Sequence, residues 1–238
     1  MIRPDLSFLT ERPFAHRGLH GRGRSENGMA AFDAAIQAGF GIECDIRLSR
    51  NGVPMVFHDA TLARMTGAEG RLDARMAARI DALRLPDGGA IPRLSALLAR
   101  TGYATPVLIE LKPGHRRAGP LCRAVAAALD PWPGAPVAVM SFHPGAVHWF
   151  AQHRPMQARG LVLTARDKGY WRGRAERTLA LWTTKPDFLA CDVRDLSSLS
   201  RHARRAGLPV LSWTVRTRAE RAMAHALADQ IIFEDSDD

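Results

Sequence analysis

Short runs of β character alternate with amphipathic helical stretches along almost the whole chain, and this alternation restricts the fold more than any other feature. The β-type runs are Pro13–His16, Gly41–Ser49, Pro54–His58, Thr105–Leu111, Val137–Phe142, Ala158–Leu163, Asp187–Asp192, Pro209–Val215 and Gln230–Phe233. Helical patterns fall between them at Gly28–Ala38, Ala118–Leu129, Pro144–His153, Ser197–Ala206 and Arg218–Leu227. Successive β-helix-β units imply a parallel sheet, because a helix must carry the chain back before the next strand begins. Gly39, Gly102 and Gly207 stand where helices end, as C-caps.

Nine runs are one too many for an eight-stranded barrel. The second and third, however, are joined by Arg50-Asn51-Gly52-Val53, and Asn-Gly between alternating runs is a strong hairpin signal. The third run therefore folds back antiparallel, leaving eight parallel strands. The expected fold is a TIM (β/α)8 barrel, a single domain over residues 1–238, with a β-hairpin after strand 2 and a small insertion at 59–104. With Asn51-Gly52 as a two-residue turn, Arg50 faces Val53 and Asp45 lies opposite His58 on the same sheet face; a bulge would shift this pairing by one.

Chemistry-bearing residues gather at the ends of these runs: His16-Arg17-Gly18, Glu43-Cys44-Asp45, His58-Asp59 and Glu110-Leu111-Lys112. Strand ends are where barrel enzymes keep their sites. Glu43 and Asp45 are two apart on a strand and share a face; side by side, they repel unless a cation lies between them. Glu110 adds a third oxygen donor, a set suited to Mg²⁺ or Ca²⁺. His16 and His58 have the chemistry of an acid–base pair, and Arg17 and Lys112 that of phosphate clamps. Together they form an inventory for phosphodiester hydrolysis. Gly18 permits close backbone approach beside His16. Ser25-Glu26-Asn27-Gly28 reads equally as a helix cap, through Ser25 or Asn27, and as a source of site groups, Glu26 and Asn27. Phe142 and Trp213, at two further strand ends, are candidates to wall the site. The other seven histidines read as structural, His20 and His143 least securely.

The net charge of +9 comes almost wholly from arginine, with lysine only at 112, 168 and 185. Such an excess could serve nucleic acid or anionic membranes. The plainer reading is a compositional bias toward solvated arginines, and no long basic run with interleaved aromatics argues for more. No apolar stretch approaches the roughly 18 residues a membrane span needs. Met1–Thr10 lacks a signal-peptide pattern, and Cys44, Cys122 and Cys191 are scattered, which together give a cytoplasmic expectation.

These motifs occur in an order that resembles the glycerophosphodiester phosphodiesterases: H-R-G at 16–18, E-N at 26–27, E-x-D at 43–45, N-G then P-M-V-F-H-D at 54–59, L-x-R-x-T-G at 62–67, I-P-x-L at 91–94, E-L-K at 110–112, S-F at 141–142 and S-W-T-V at 212–215. The resemblance runs from residue 13 to about 235. It implies a phosphatidylinositol-phospholipase-C-like barrel that hydrolyses a glycerophosphodiester to sn-glycerol 3-phosphate and an alcohol, using Ca²⁺ or Mg²⁺. It also implies Glu43, Asp45 and Glu110 as metal ligands, His16 and His58 as acid and base, Arg17 and Lys112 on phosphate, and Phe142 and Trp213 on glycerol. Water and the glycerol 2-hydroxyl both remain open as nucleophile. Two positions depart from the family pattern, Arg216 after W-T-V and Glu234-Asp235 without a following proline, and both are expected to touch substrate contacts rather than the catalytic set. Competing readings are a lysophospholipase D-type or other phosphodiesterase on the same barrel, and a non-catalytic basic protein that binds nucleic acid or anionic membrane.

Overall fold

The computed structural model describes residues 4–114, 118–164, 180–196, 200, 203 and 207–235. Nine strands form one sheet: β1 (Phe14–Ala15), β2 (Gly41–Leu48), β3 (Pro54–Val56), β4 (Val107–Leu111), β5 (Val137–Ser141), β6 (Ala158–Leu163), β7 (Phe188–Asp192), β8 (Val210–Val215) and β9 (Gln230–Phe233). All but β3 are parallel, and β1 pairs with both β9 and β2, which closes an eight-stranded barrel. β3 runs antiparallel to the end of β2, outside the closed ring. This is a TIM barrel, as the alternation predicts.

Helices α1 (Phe8–Glu11), α2 (Met29–Gln37), α3 (Ala63–Thr66), α4 (Ala77–Asp81), α5 (Leu94–Thr101), α6 (Gly119–Leu129), α7 (Pro144–His153) and α8 (Arg218–Leu227) accompany the strands. The helix expected at Ser197–Ala206 falls largely outside the described residues. No helix of the described residues is long and apolar enough to cross a membrane.

Side-chain parity sorts the core into two layers. Ile42, Cys44, Ile46, Val107, Ile109 and Leu111 point outward and pack under the helices. Phe14, Leu108, Ala138, Met140, Phe188, Leu211 and Ile232 point inward and fill the barrel. Phe8 and Leu9 of α1 join this inner layer, so α1 plugs the N-terminal end, an element the sequence pattern does not reveal. Leu9 is fully buried, so Leu9→Ala should cost about 2–5 kcal/mol of stability in urea unfolding and leave kcat unchanged.

The hairpin register differs from the expected one. Ile46 pairs with Val56, Arg47 with Met55 and Leu48 with Pro54, so Asp45 lies level with Phe57, whose N–H donates to its carbonyl (2.8 Å). The loop has three residues: Gly52 N–H donates to Ser49 O at 3.0 Å, closing a type I turn, and Gly52 follows at φ 81°. A type I turn twists against its strands and needs this extra left-handed residue, which shifts pairing by one. Asp45 and His58 are therefore not direct cross-strand partners.

Beyond β3, the chain forms a satellite core from Met55, Phe57, Leu62, Leu72, Ile80, Leu85 and Ile91. Leu94, Leu97 and Leu98 of α5 belong instead to the main core, so the excursion with its own packing ends near Ile91.

Candidate active site

Parity carries the inward columns past the core to the C-terminal mouth of the barrel. Phe14 is followed by His16, Leu108 by Glu110 and Lys112, Met140 by Phe142, Leu211 by Trp213 and Ile232 by Glu234. On β2 the same face carries Glu43, Asp45 and Arg47. In the parallel register Asp45 lies beside Glu110, which brings the third carboxylate level with the first two.

The donor oxygens of Glu43, Asp45 and Glu110 lie within 4.8 Å of one another. All three side chains are buried. Glu43 Oε1 has no hydrogen-bond partner among the described residues, and Asp45 Oδ1 and Glu110 Oε1 face the Lys112 ammonium at 3.1 and 2.7 Å. Burial and the neighbouring carboxylates push Glu43 well above its usual range. Burial raises Glu110 to about 7 against the pull of Lys112. Asp45 is held low, because Lys112 and Arg17 outweigh its burial. An orphaned buried oxygen on Glu43, with two further carboxylates converging on it, is what a hard divalent cation would satisfy, so the donor set fits one.

His16 is buried, with its N–H bonded to Phe233 O (2.8 Å) and its Nδ1 2.6 Å from Glu234 Oε1. Glu234 also accepts from Arg216 Nε at 2.5 Å, and these two partners hold its carboxyl near a pKa of about 2. The ionised carboxylate assigns the proton to Nδ1, leaving Nε2 as an acceptor 3.9 Å from Glu43 Oε2. Burial lowers the pKa of His16. The two departures from the family pattern are thus bonded to each other, and Glu234 also touches His16, one of the two histidines expected to form the acid–base pair. Glu234 was legible only by strand-end logic, since it stands one residue past β9.

His58 is half-buried; its Nδ1 lies 2.7 Å from Asp59 Oδ1, and burial lowers its pKa. Arg47, which the sequence reading passed over, donates from Nε to His58 O at 2.6 Å and fixes the backbone where the chain leaves the hairpin. Arg17 N–H donates to Glu43 Oε2 (3.0 Å), its Nη1 donates to Glu26 Oε1 (3.0 Å), and its Nε is 3.2 Å from Asp45 Oδ2. Gly18, at φ 78°, passes so near α2 that a Cβ would come within 2.9 Å of Ala31.

Asn27 and Ser25 do not cap α2, whose N-cap is Gly28 without a side-chain bond. Asn27 Nδ2 donates to Asp45 Oδ2 (2.9 Å) and its Oδ1 accepts from Asp45 N–H (3.2 Å), while Ser25 binds Asp87. Cap chemistry lost because the buried carboxylate of Asp45 offers the amide a stronger partner. Phe142 and Trp213 meet edge to face at 5.3 Å, and Trp213 Nε1 donates to Ala190 O (3.0 Å).

A cavity of about 300 Å³ is lined by His16, Arg17, His58, Glu110, Lys112, Phe142 and Trp213, with Arg194, Arg216 and Glu220 at its rim. A larger groove of about 780 Å³ lies at the opposite end, against α1. That end of such barrels serves stability rather than chemistry.

The chain matches the glycerophosphoryl diester phosphodiesterase family over residues 16–237. It belongs to that family. The described fold is similar to an Oleispira antarctica phosphodiesterase solved with the product sn-glycerol-3-phosphate, at 24% identity and TM-score 0.79, covering 95% of this chain and 93% of that one. It is also similar to a glycerophosphodiester phosphodiesterase from Agrobacterium tumefaciens, at 25% identity and TM-score 0.74, covering 93% and 95% of the two chains. Among curated relatives, "Probable glycerophosphodiester phosphodiesterase 2" of Mycobacterium tuberculosis is 38% identical over 99 residues, which span 40% of this chain and 38% of that relative's length.

Proposed function

We propose that this chain hydrolyses glycerophosphodiesters to sn-glycerol 3-phosphate and an alcohol with the help of a divalent cation. The observation that carries this reading is the pairing of two carboxylate-backed imidazoles, His16–Glu234 and His58–Asp59, on one cavity beside three clustered buried carboxylates. Glu43, Asp45 and Glu110 would hold Mg²⁺ or Ca²⁺, which when bound supplies charge neutralisation at the phosphoryl oxygens. Arg17 and Lys112 bind the phosphate, and their fixed partners keep both cations aimed into the cavity. His16, neutral with Nε2 free, takes the proton of the nucleophile. His58, in its doubly protonated form with Nδ1–H held by Asp59, gives the Nε2 proton to the departing alkoxide. Glu26 and Asn27 hold Arg17 and Asp45 in place, and Phe142 with Trp213 forms the apolar wall for the glycerol carbons. The three buried, unpaired cysteines support a reducing, cytoplasmic setting.

The test is release of glycerol 3-phosphate from glycerophosphocholine, glycerophosphoethanolamine and lysophosphatidylcholine, with EDTA, Mg²⁺ or Ca²⁺. Turnover of lysolipid alone would move the substrate class to lysophospholipids; no metal-dependent turnover of any would overturn the reading. Glu234→Gln should lower kcat about 10–100-fold, since the amide holds the ring without stabilising the imidazolium.

Glu234 also ties stability to acidity. Its folded-state pKa is depressed, so its contribution is full above about 4.5 and disappears as pH falls through about 2. Between those values the parent protein should lose more stability on acidification than Glu234→Gln, measured by denaturant titration at each pH.

A further inference from the structure

The motif Leu62-Ala63-Arg64-Met65-Thr66-Gly67 supplies no proton donor, phosphate clamp or carboxylate to the cavity. Its arginine sits on α3, in the excursion beyond β3, and reaches back over the barrel mouth. Arg64 Nε donates to Asp59 Oδ2 at 2.5 Å, while Nη1 and Nη2 donate to Glu26 Oε2 at 3.0 Å and Glu26 Oε1 at 2.6 Å. Each carboxylate supports a different arm of the site. Asp59 holds His58 Nδ1 at 2.7 Å, and Glu26 accepts from Arg17 Nη1 at 3.0 Å. A continuous chain of contacts therefore runs His58–Asp59–Arg64–Glu26–Arg17.

We propose that Arg64 is a positioning residue that fixes the distance and angle between His58 and Arg17 from the inserted segment. The inference rests on the phosphodiesterase reading. A guanidinium fork can bind one carboxylate with two nitrogens and a second with the third, in one plane, which an ammonium cannot do. Without it, Asp59 and Glu26 keep only their bonds to His58 and Arg17, lose the cation they share, and no longer tie the two arms to each other. The side chain of Arg64 is 48% exposed, so solvent screens its ion pairs and they add little to stability. Its effect on catalysis is larger, because misplacing a reacting group by about 1 Å can cost 10²-fold in rate. That split between rate and stability separates a positioning role from a merely structural one.

The experiment compares Arg64→Ala, Arg64→Lys and Arg71→Ala, the last an exposed arginine of the same excursion bonded to Asp73. Glycerophosphocholine kinetics, Tm and ¹⁵N spectra of the imidazole rings are read for each. Arg64→Ala should lower kcat about 10–100-fold and raise KM several-fold, with Tm within about 2 °C of the parent. Arg64→Lys should recover only a small part of the loss, Arg71→Ala should match the parent, and the His58 ring signals should shift in Arg64→Ala alone. Parent-like kinetics in Arg64→Ala, or a loss no greater than in Arg71→Ala, would overturn the proposal. If the parent hydrolyses no glycerophosphodiester, the phosphodiesterase reading fails by itself. The ring spectra then still decide the positioning role, and unchanged His58 signals in Arg64→Ala refute it.

Discussion

His16→Ala should lower kcat for glycerophosphocholine by about 10²–10⁴ while KM and the folded state change little. The imidazole is fixed on one side by Glu234 and presents its other nitrogen to the cavity, so removing it deletes the proton acceptor without disturbing the clamps Arg17 and Lys112. The division of labour is separately testable. A p-nitrophenyl phosphodiester has a leaving group that departs without protonation. On that substrate His58→Ala should regain most of its activity, whereas His16→Ala should stay impaired. Equal rescue of both variants, or rescue of His16→Ala alone, would reverse or remove the assignment. Parent-like glycerophosphocholine turnover in His16→Ala would eliminate the mechanism.

Removing the divalent cation should be as damaging. Chelation should abolish turnover, and saturating Mg²⁺ or Ca²⁺ at about 100 Kd should add about 2.7 kcal/mol, a Tm rise of roughly 5–10 °C. Glu43→Gln should lose most of that rise. The sign of the pH dependence follows from the raised carboxyls. Glu43 and Glu110 bind protons more tightly in the folded, metal-free chain than in the unfolded one, Glu110 up to about 7. Metal-free stability therefore falls as pH climbs from about 4.5 through 7, when the clustered carboxylates must ionise in a buried site. A bound cation should flatten that slope. A metal-induced Tm rise that is independent of Glu43 would place the ion elsewhere.

Much of this site was legible before folding because strand parity is a local rule. Residues two apart share a face, so Glu43 with Asp45 and Glu110 with Lys112 could be paired from their spacing alone. The barrel followed from the same kind of evidence, βα alternation and one Asn-Gly turn. Local rules failed where two local solutions compete. Asn-Gly serves both a two-residue turn and a three-residue loop with a bulge, and the choice moved His58 off the level of Asp45. Asn27 could cap α2 or bind a carboxylate, and only the approach of β2 settled it.

Long-range partners were hidden for a different reason. His16 and Glu234 are separated by most of the chain, and nothing in either neighbourhood marks the other until barrel closure sets β1 beside β9. Arg64 was visible as part of a motif, but its link to both Asp59 and Glu26 exists only once the excursion folds back over the mouth. The sequence by itself determined the strand count, the inward columns and the chemical types that end them, since periodicity and turn chemistry act over a few residues. Tertiary structure alone decided that Glu234 backs His16, because that contact depends on closing a ring whose ends are more than two hundred residues apart, whereas Asp59 stands next to His58 in the chain.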